Sequence, residues 1–230
     1  MVLLHGFASN RNEAWRRVGW YGAFERKRLR VLALDWRGHG ESAKPHEAEC
    51  YSGEQMVSNV FALLDRVGAE RCDLFGYSMG ARLAIQAALA RPVRIADLVL
   101  GGIGERMFER SNASEQMAFA MEADNPNSIT DPILRSFRAF ADEQGEDRLA
   151  LAACARGADF SIAPERLAQI RSRTLVVTGA RDALAGDAST LAAVIPGARA
   201  VSLSGCDHFS AIPHSLFKAA VFDFLNGEIE

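Results

Sequence analysis

The segment Gly76-Tyr77-Ser78-Met79-Gly80 constrains this chain more than any other, because it joins an apolar, strand-like run (residues 72–75) to an alanine-rich, helix-like run (residues 81–90). A chain that passes so abruptly from strand to helix leaves its apex residue in a strained backbone conformation. Glycine on either side supplies the room, since larger side chains there would strike the neighbouring strand and helix. The hydroxyl at the apex is lifted above the sheet. It also lies at the start of the helix, where unpaired N–H groups and the dipole favour a developing negative charge. A nucleophile is therefore expected at Ser78.

Apolar runs of strand length recur at residues 2–5, 31–35, 72–75, 98–101, 175–178 and 200–203, with helical stretches between them. Several are continuously apolar instead of alternating, as befits strands covered by helices on both faces. The alternation implies right-handed crossovers and an α/β fold with an open, doubly wound, mostly parallel sheet. From about residue 104 to 166 the rhythm breaks. Only helix-like segments follow there (114–123, 131–143 and 147–155), interrupted by Asn125-Pro126-Asn127 and Gly145. A structureless loop of that length is improbable in a compact domain, so a small helical cap over the carboxyl ends of the strands is expected. The expected division is a core of residues 1–103 and 167–230 with a cap of residues 104–166. A chain of 230 residues holds one such core and not two full domains.

A net charge of −3 gives no basic footprint for nucleic acid or an anionic membrane. No apolar run approaches the roughly 18 residues a membrane-spanning helix needs. The expected partner is a small-molecule substrate. Cys50, Cys72, Cys154 and Cys206 lack metal-ligand or disulfide-framework spacing, so no zinc site is expected, and reduced thiols point to the cytoplasm. Met1-Val2-Leu3-Leu4 already reads as a buried strand, which suggests that a segment upstream is missing.

In an open parallel sheet the reacting groups gather at the carboxyl ends of strands. A serine hydroxyl is a weak nucleophile at neutral pH and needs an adjacent base, which in turn needs an orienting carboxylate. Asp182, in Gly179-Ala180-Arg181-Asp182, follows the run 175–178 and is the expected acid. Asp187 suits a helix N-cap better, and Asp207 adjoins the proposed base on a diverging backbone. That base is His208, just after the last strand-like run. His214 lies behind Pro213 at the start of the final helix, where a solvated or capping role is simpler, and His39 and His46 belong to an early loop. The order serine, aspartate, histidine, each at a strand end, favours His208. The oxyanion of an acyl-transfer transition state needs donors aimed at it. The backbone N–H groups of Met79 and of Phe7, in His5-Gly6-Phe7, are the expected pair.

Taken together, His5-Gly6-Phe7, the run Asp35-Trp36-Arg37-Gly38-His39-Gly40-Glu41-Ser42, the serine turn, Gly179-Ala180-Arg181-Asp182 and Asp207-His208-Phe209 resemble the α/β-hydrolase superfamily. The resemblance covers the chain except the helical insertion. It implies a nucleophile at Ser78, an acid at Asp182, a base at His208 and the two oxyanion donors named above, with no cofactor required. The 35–42 loop looks like that of the epoxide-hydrolase and haloperoxidase-like branch. Dehalogenases and epoxide hydrolases of that branch carry aspartate at the position of Ser78, so serine argues against both. Tyr77 to Arg82 is similar to the elbow of enzymes that eliminate pyruvate in the menaquinone pathway, and to those of small carboxylesterases and enol-lactonases. Arg82 is given no binding role. The family pattern normally opens with two further strands, which are absent here. Their absence leaves the 31–35 strand at a sheet edge, where a second copy of the chain or an upstream segment is expected to cover it.

The chemistry expected from these residues is hydrolysis of an ester-like bond through an acyl-enzyme. Two alternatives use the same pocket: carbon–carbon cleavage or elimination by the same three residues, and a binding protein with little turnover. Met107, Phe108, Met117, Phe119 and Met121 either line an apolar substrate site or form the cap's own core.

Overall fold

The computed structural model describes residues 1–109, 113–158 and 162–228. Its strands are β1 (Val2–Leu4), β2 (Leu32–Leu34), β3 (Cys72–Tyr77), β4 (Ile95–Gly101), β5 (Arg173–Gly179) and β6 (Arg199–Leu203). They pair in one sheet ordered β2-β1-β3-β4-β5-β6, each neighbour parallel to the next. The doubly wound α/β sheet expected from the apolar runs is thus present, and it is parallel throughout among the described residues. The helices are α1 (Trp20–Arg26), α2 (Gly53–Arg66), α3 (Met79–Ala90), α4 (Ala113–Glu122), α5 (Pro132–Gln144), α6 (Arg148–Gly157), α7 (Pro164–Leu167), α8 (Ala188–Ala192) and α9 (Ser215–Asn226).

Each continuous apolar run resolves into two interleaved stripes, because successive strand residues point to opposite faces. Leu4, Leu74, Leu98, Leu100 and Val176 join one core with residues of α2, α3 and α8. Leu3, Phe75, Val99, Leu175 and Val177 join the other with Trp20, Phe24, Phe217 and Val221 of α1 and α9. A strand polar on one side could not have been covered this way.

β4 and β5 start before the apolar runs that mark them. Their first residues include Asp97 and Arg173, which stand opposite each other in register, with Arg173 Nε 2.8 Å from Asp97 Oδ1. A cross-strand ion pair at the sheet's lower rim reads as a polar interruption in one dimension. The carboxyl ends of the strands lie at the opposite rim, and the chain leaves β1, β3 and β5 there into the loops that carry His5, Ser78 and Asp182.

Between β4 and β5, helices α4, α5 and α6 bury Ala118, Met121, Phe137, Ala141, Leu151 and Ala152 against one another and against Ala8. Asp131 caps α5 by accepting from the Ile133 and Leu134 N–H groups, and Asp147 caps α6 from Leu149 and Ala150. Residues 110–112 and 159–161 of the expected insertion lie outside the described residues. Buried Glu146, in the turn between α5 and α6, accepts from the Gly40 N–H at 2.9 Å and from Asn10 Nδ2 at 3.1 Å. That carboxylate fixes the helical segment over the loops that follow β1 and β2. β2 occupies one edge of the sheet.

Candidate active site

Ser78 has φ 54° and ψ −116°, a conformation that costs a residue with a side chain on the order of 1–3 kcal/mol. Packing around the turn enforces it. A Cβ on Gly80 would lie 2.0 Å from the Leu4 carbonyl oxygen, and one on Gly76 would lie 2.3 Å from the Gly80 carbonyl oxygen. Glycine at both places lets α3 start directly against β1 and β3. The Ser78 N–H donates to the Gly101 carbonyl at 2.8 Å, anchoring the apex to the end of β4.

The structure brings the three residues singled out from sequence together. His208 Nε2 lies 3.1 Å from Ser78 Oγ, and His208 Nδ1 lies 2.8 Å from Asp182 Oδ2. The other carboxylate oxygen of Asp182 accepts from the Leu184 and Ala185 N–H groups at 3.0 and 2.9 Å. With both oxygens engaged and its side chain 0% exposed, Asp182 is fixed in place and can orient the imidazole. Asp187 caps α8 by accepting from the Ser189 N–H. Asp207 accepts from the Phe209 and Ser210 N–H groups, so it turns the loop and has no bond to the imidazole beside it. His214 caps α9.

Phe7 lines the same cavity as Ser78, and Met79 follows the serine directly. Met79 is the first residue of α3, where a helix leaves its N–H groups unpaired. The Gly6 backbone packs so closely that a Cβ there would sit 3.3 Å from Ser78 Cβ, so the loop that carries Phe7 runs against the serine turn. Among the described residues, no hydrogen-bond acceptor is assigned to the Phe7 N–H. Such an arrangement can receive an oxyanion.

His5 has another task. Its Nε2 accepts from the Trp36 N–H at 3.0 Å, and its Nδ1 lies 2.8 Å from the Gly6 carbonyl oxygen, so it is the neutral tautomer with the proton on Nδ1. Burial pushes its pKa down to about 4, and that of neighbouring His39, also by burial, to about 3. Both stay uncharged and hold the loops after β1 and β2. The loop of residues 35–42 is built on Asp35, which accepts from the Arg11 N–H at 2.7 Å and the Glu41 N–H at 3.0 Å and pairs with the Arg11 guanidinium.

A cavity of about 730 Å³ opens above Ser78 and His208. Phe7, Tyr77, Phe137, Phe140 and Phe209 form its apolar wall. Of the two expectations for the sulfur and aromatic side chains of the helical segment, the second holds for Met117 and Met121, which pack within the helical cluster, whereas Met107 and Phe108 pack against a sheet core and Phe119 is 61% exposed. None of them lines the cavity. The wall residues of α5 escaped the sequence analysis because a helical period marks a buried stripe without saying what it faces. Phe209 could have been found from its place beside His208. Tyr77 was visible in the turn motif, but its second role was not: its hydroxyl donates to the His208 carbonyl oxygen, tying the base's loop to the end of β3. Arg82 does not line the cavity, and burial lowers its pKa. Among the described residues no group of three or more His, Cys, Asp or Glu side chains is placed to hold a metal ion.

Comparison with known proteins places the chain in a family. A family model described as the alpha/beta hydrolase family matches residues 1–218. A Bacillus subtilis protein named as a 2-succinyl-6-hydroxy-2,4-cyclohexadiene-1-carboxylate synthase is 34% identical over 103 residues, 44% of this chain and 35% of the relative. The chain thus matches about a third of that relative's length. A Pseudomonas putida protein named 2-hydroxymuconate semialdehyde hydrolase is 28% identical over 217 residues, 85% of this chain and 76% of the relative. Among solved structures, a hydrolase from Pseudomonas aeruginosa superposes with a TM-score of 0.73 at 28% identity, covering 97% of this chain and 88% of that one.

Proposed function

Because the chain belongs to the alpha/beta hydrolase family, we propose that it is a serine hydrolase that cleaves an ester bond of a small, partly hydrophobic substrate through an acyl-enzyme. The observation that carries this reading is the hydrogen-bonded line from Asp182 through His208 to Ser78 at the floor of an apolar-walled cavity. Ser78 Oγ attacks the carbonyl carbon while His208 Nε2 takes its proton. The oxyanion so formed accepts from the Phe7 and Met79 N–H groups. Collapse of the tetrahedral adduct expels the alcohol, which takes the proton back from His208. Water, deprotonated in turn by His208, then attacks the acyl-enzyme and frees Ser78. Asp182 keeps the imidazole in the tautomer that accepts at Nε2.

In this reading residues 104–166 act as the cap and the partner is a small molecule. The free cysteines accord with a cytoplasmic enzyme. Association of two copies along the β2 edge is proposed on the same footing, and size-exclusion chromatography with light scattering tests it.

A second reading, carbon–carbon hydrolysis or elimination by the same residues, draws on the Pseudomonas putida and Bacillus subtilis relatives. The two are separated by a panel of p-nitrophenyl esters of graded chain length beside thioester, lactone and vinylogous diketone substrates, with Ser78→Ala as the blank. A pre-steady-state burst of nitrophenol and a fluorophosphonate adduct on the Ser78 peptide are expected. Turnover of the diketone alone, with Ser78 never labelled, would replace the ester reading by the second. A binding protein would keep its biological effect in Ser78→Ala.

A further inference from the structure

β4 lies between β3, which leads to Ser78, and β5, which leads to Asp182, yet its own exit carries none of the three residues. That exit nevertheless touches the loops of all three. The Gly101 carbonyl accepts from the Ser78 N–H at 2.8 Å, and the Gly102 N–H donates to the Val177 carbonyl of β5 at 2.9 Å. Farther on, the Glu105 N–H donates to the Asp187 carbonyl at 3.0 Å and the Arg106 N–H to the Ala185 carbonyl at 3.1 Å. Ala185 in turn gives its own N–H to Asp182 Oδ1, so residue 185 joins this segment to the acid.

Contact with the base is made by packing, and it falls on Gly102. A Cβ there would lie 3.1 Å from His208 Cε1, the carbon between the two ring nitrogens, and 2.9 Å from Tyr77 Cζ. Tyr77 holds the same loop, because its hydroxyl donates to the His208 carbonyl oxygen. Gly102 also has φ 64°, a backbone conformation that a side chain makes costly. The bonds at Nδ1 and Nε2 fix an axis through the imidazole but leave it free to shift toward its Cε1 edge. Only a wall at that edge stops the movement. At 3.1 Å the bond to Ser78 has little room to lengthen before it weakens.

We infer that Gly102 is a positioning residue for the base: by lacking a side chain it lets the end of β4 close against the Cε1 edge of His208, and this sets the distance of the imidazole from Ser78. The inference rests on His208 acting as base toward Ser78, as in the proposed function, and not on an ester being the substrate. Gly102 does not line the cavity, so its influence on the reaction passes through His208 and leaves substrate binding alone.

The test compares Gly102→Ala with Gly68→Ala, whose glycine has φ 67° and nothing within 4 Å of the added Cβ. Both variants carry the backbone strain, and only the first crowds the ring. In Gly102→Ala kcat on a p-nitrophenyl ester is expected to fall by roughly a hundredfold, the scale of a misplaced catalytic group, with KM within about twofold of wild type. Fluorophosphonate labelling of Ser78, which needs the base but no acyl or alcohol site, slows by the same factor. In Gly68→Ala both rates stay at wild-type values while the melting temperature falls by about 2–4 °C. An unchanged kcat per folded molecule in Gly102→Ala, or a loss carried by KM, would overturn the inference. If no ester is turned over and Ser78 is never labelled, the ester reading fails, and the same ratio read on the diketone substrate decides the role of Gly102. A nuclear Overhauser contact between the His208 Cε1 proton and the Gly102 Cα protons is expected in the wild-type protein. That measurement needs neither turnover nor a folded variant, and its absence would end the inference.

Discussion

Two aspartates follow two strands of the same sheet, both almost fully buried, and they do opposite things. Asp35, after β2, is spent on structure: its partners are the Arg11 guanidinium and two backbone N–H groups, none of which changes its charge near neutral pH. Asp182, after β5, holds two backbone N–H groups with one oxygen and His208 with the other. The difference lies in the partner. A carboxylate facing a permanent cation locks a loop, whereas one facing an imidazole that reaches a serine can stabilise a charge that appears during a reaction. The histidines repeat the contrast: His5 and His39, beside Asp35, are held neutral by burial, and His208 has the serine within reach.

The contrast is sharpest if the two sites fail in different ways. Replacing His208 by alanine is expected to lower kcat by about a million-fold with the circular dichroism spectrum unchanged; an activity loss of tenfold or less would leave the relay without a catalytic part. Asp182→Asn keeps an acceptor for Leu184 and Ala185 but donates to the imidazole, favouring the wrong tautomer. Its kcat is expected to drop by about ten-thousand-fold while unfolding in urea shows a stability within about 2 kcal/mol of wild type.

Asp35→Ala should reverse that pattern. It leaves the Arg11 and Glu41 N–H groups without their acceptor and the Arg11 guanidinium with Glu41 as its remaining partner, at a cost of about 2 kcal/mol, while activity per folded molecule stays near wild type. Loss of activity without loss of stability would erase the distinction between the two aspartates. The neighbouring histidines add a pH signature. Since burial lowers the pKa of both, the unfolded chain binds their protons first, so the stability they contribute is complete above pH 6.5 and is lost as the pH falls toward about 4 for His5 and about 3 for His39. The two act on each other, and together the loss is on the order of several kcal/mol. In His39→Gln the slope of unfolding free energy against pH in this window should fall by nearly one proton. The smallest effect belongs to Tyr77→Phe, which removes the bond to the His208 carbonyl: about 1 kcal/mol of stability and a kcat decrease of less than about tenfold, with KM unchanged.

Much of this was legible in the sequence because it is local. The serine turn announces itself by two glycines that close packing requires, and the strands by apolar runs that must be covered on both faces. What escaped was long-range. Asp97 and Arg173 hide two strand starts, since a polar residue reads as a break until its partner is placed opposite. Glu146 looks like a turn residue until it is seen binding the Gly40 amide across the fold.

The sequence by itself determined a parallel sheet covered on both faces and the three polar residues that follow its strands, because each follows from spacing along the backbone and the need to bury apolar side chains. Only the tertiary structure decided which aromatic rings line the cavity beside the serine, and that the methionines of the helical segment pack away from it. Those outcomes depend on how α5 settles against the loops after β1 and β6, and its helical period is the same whichever way it turns.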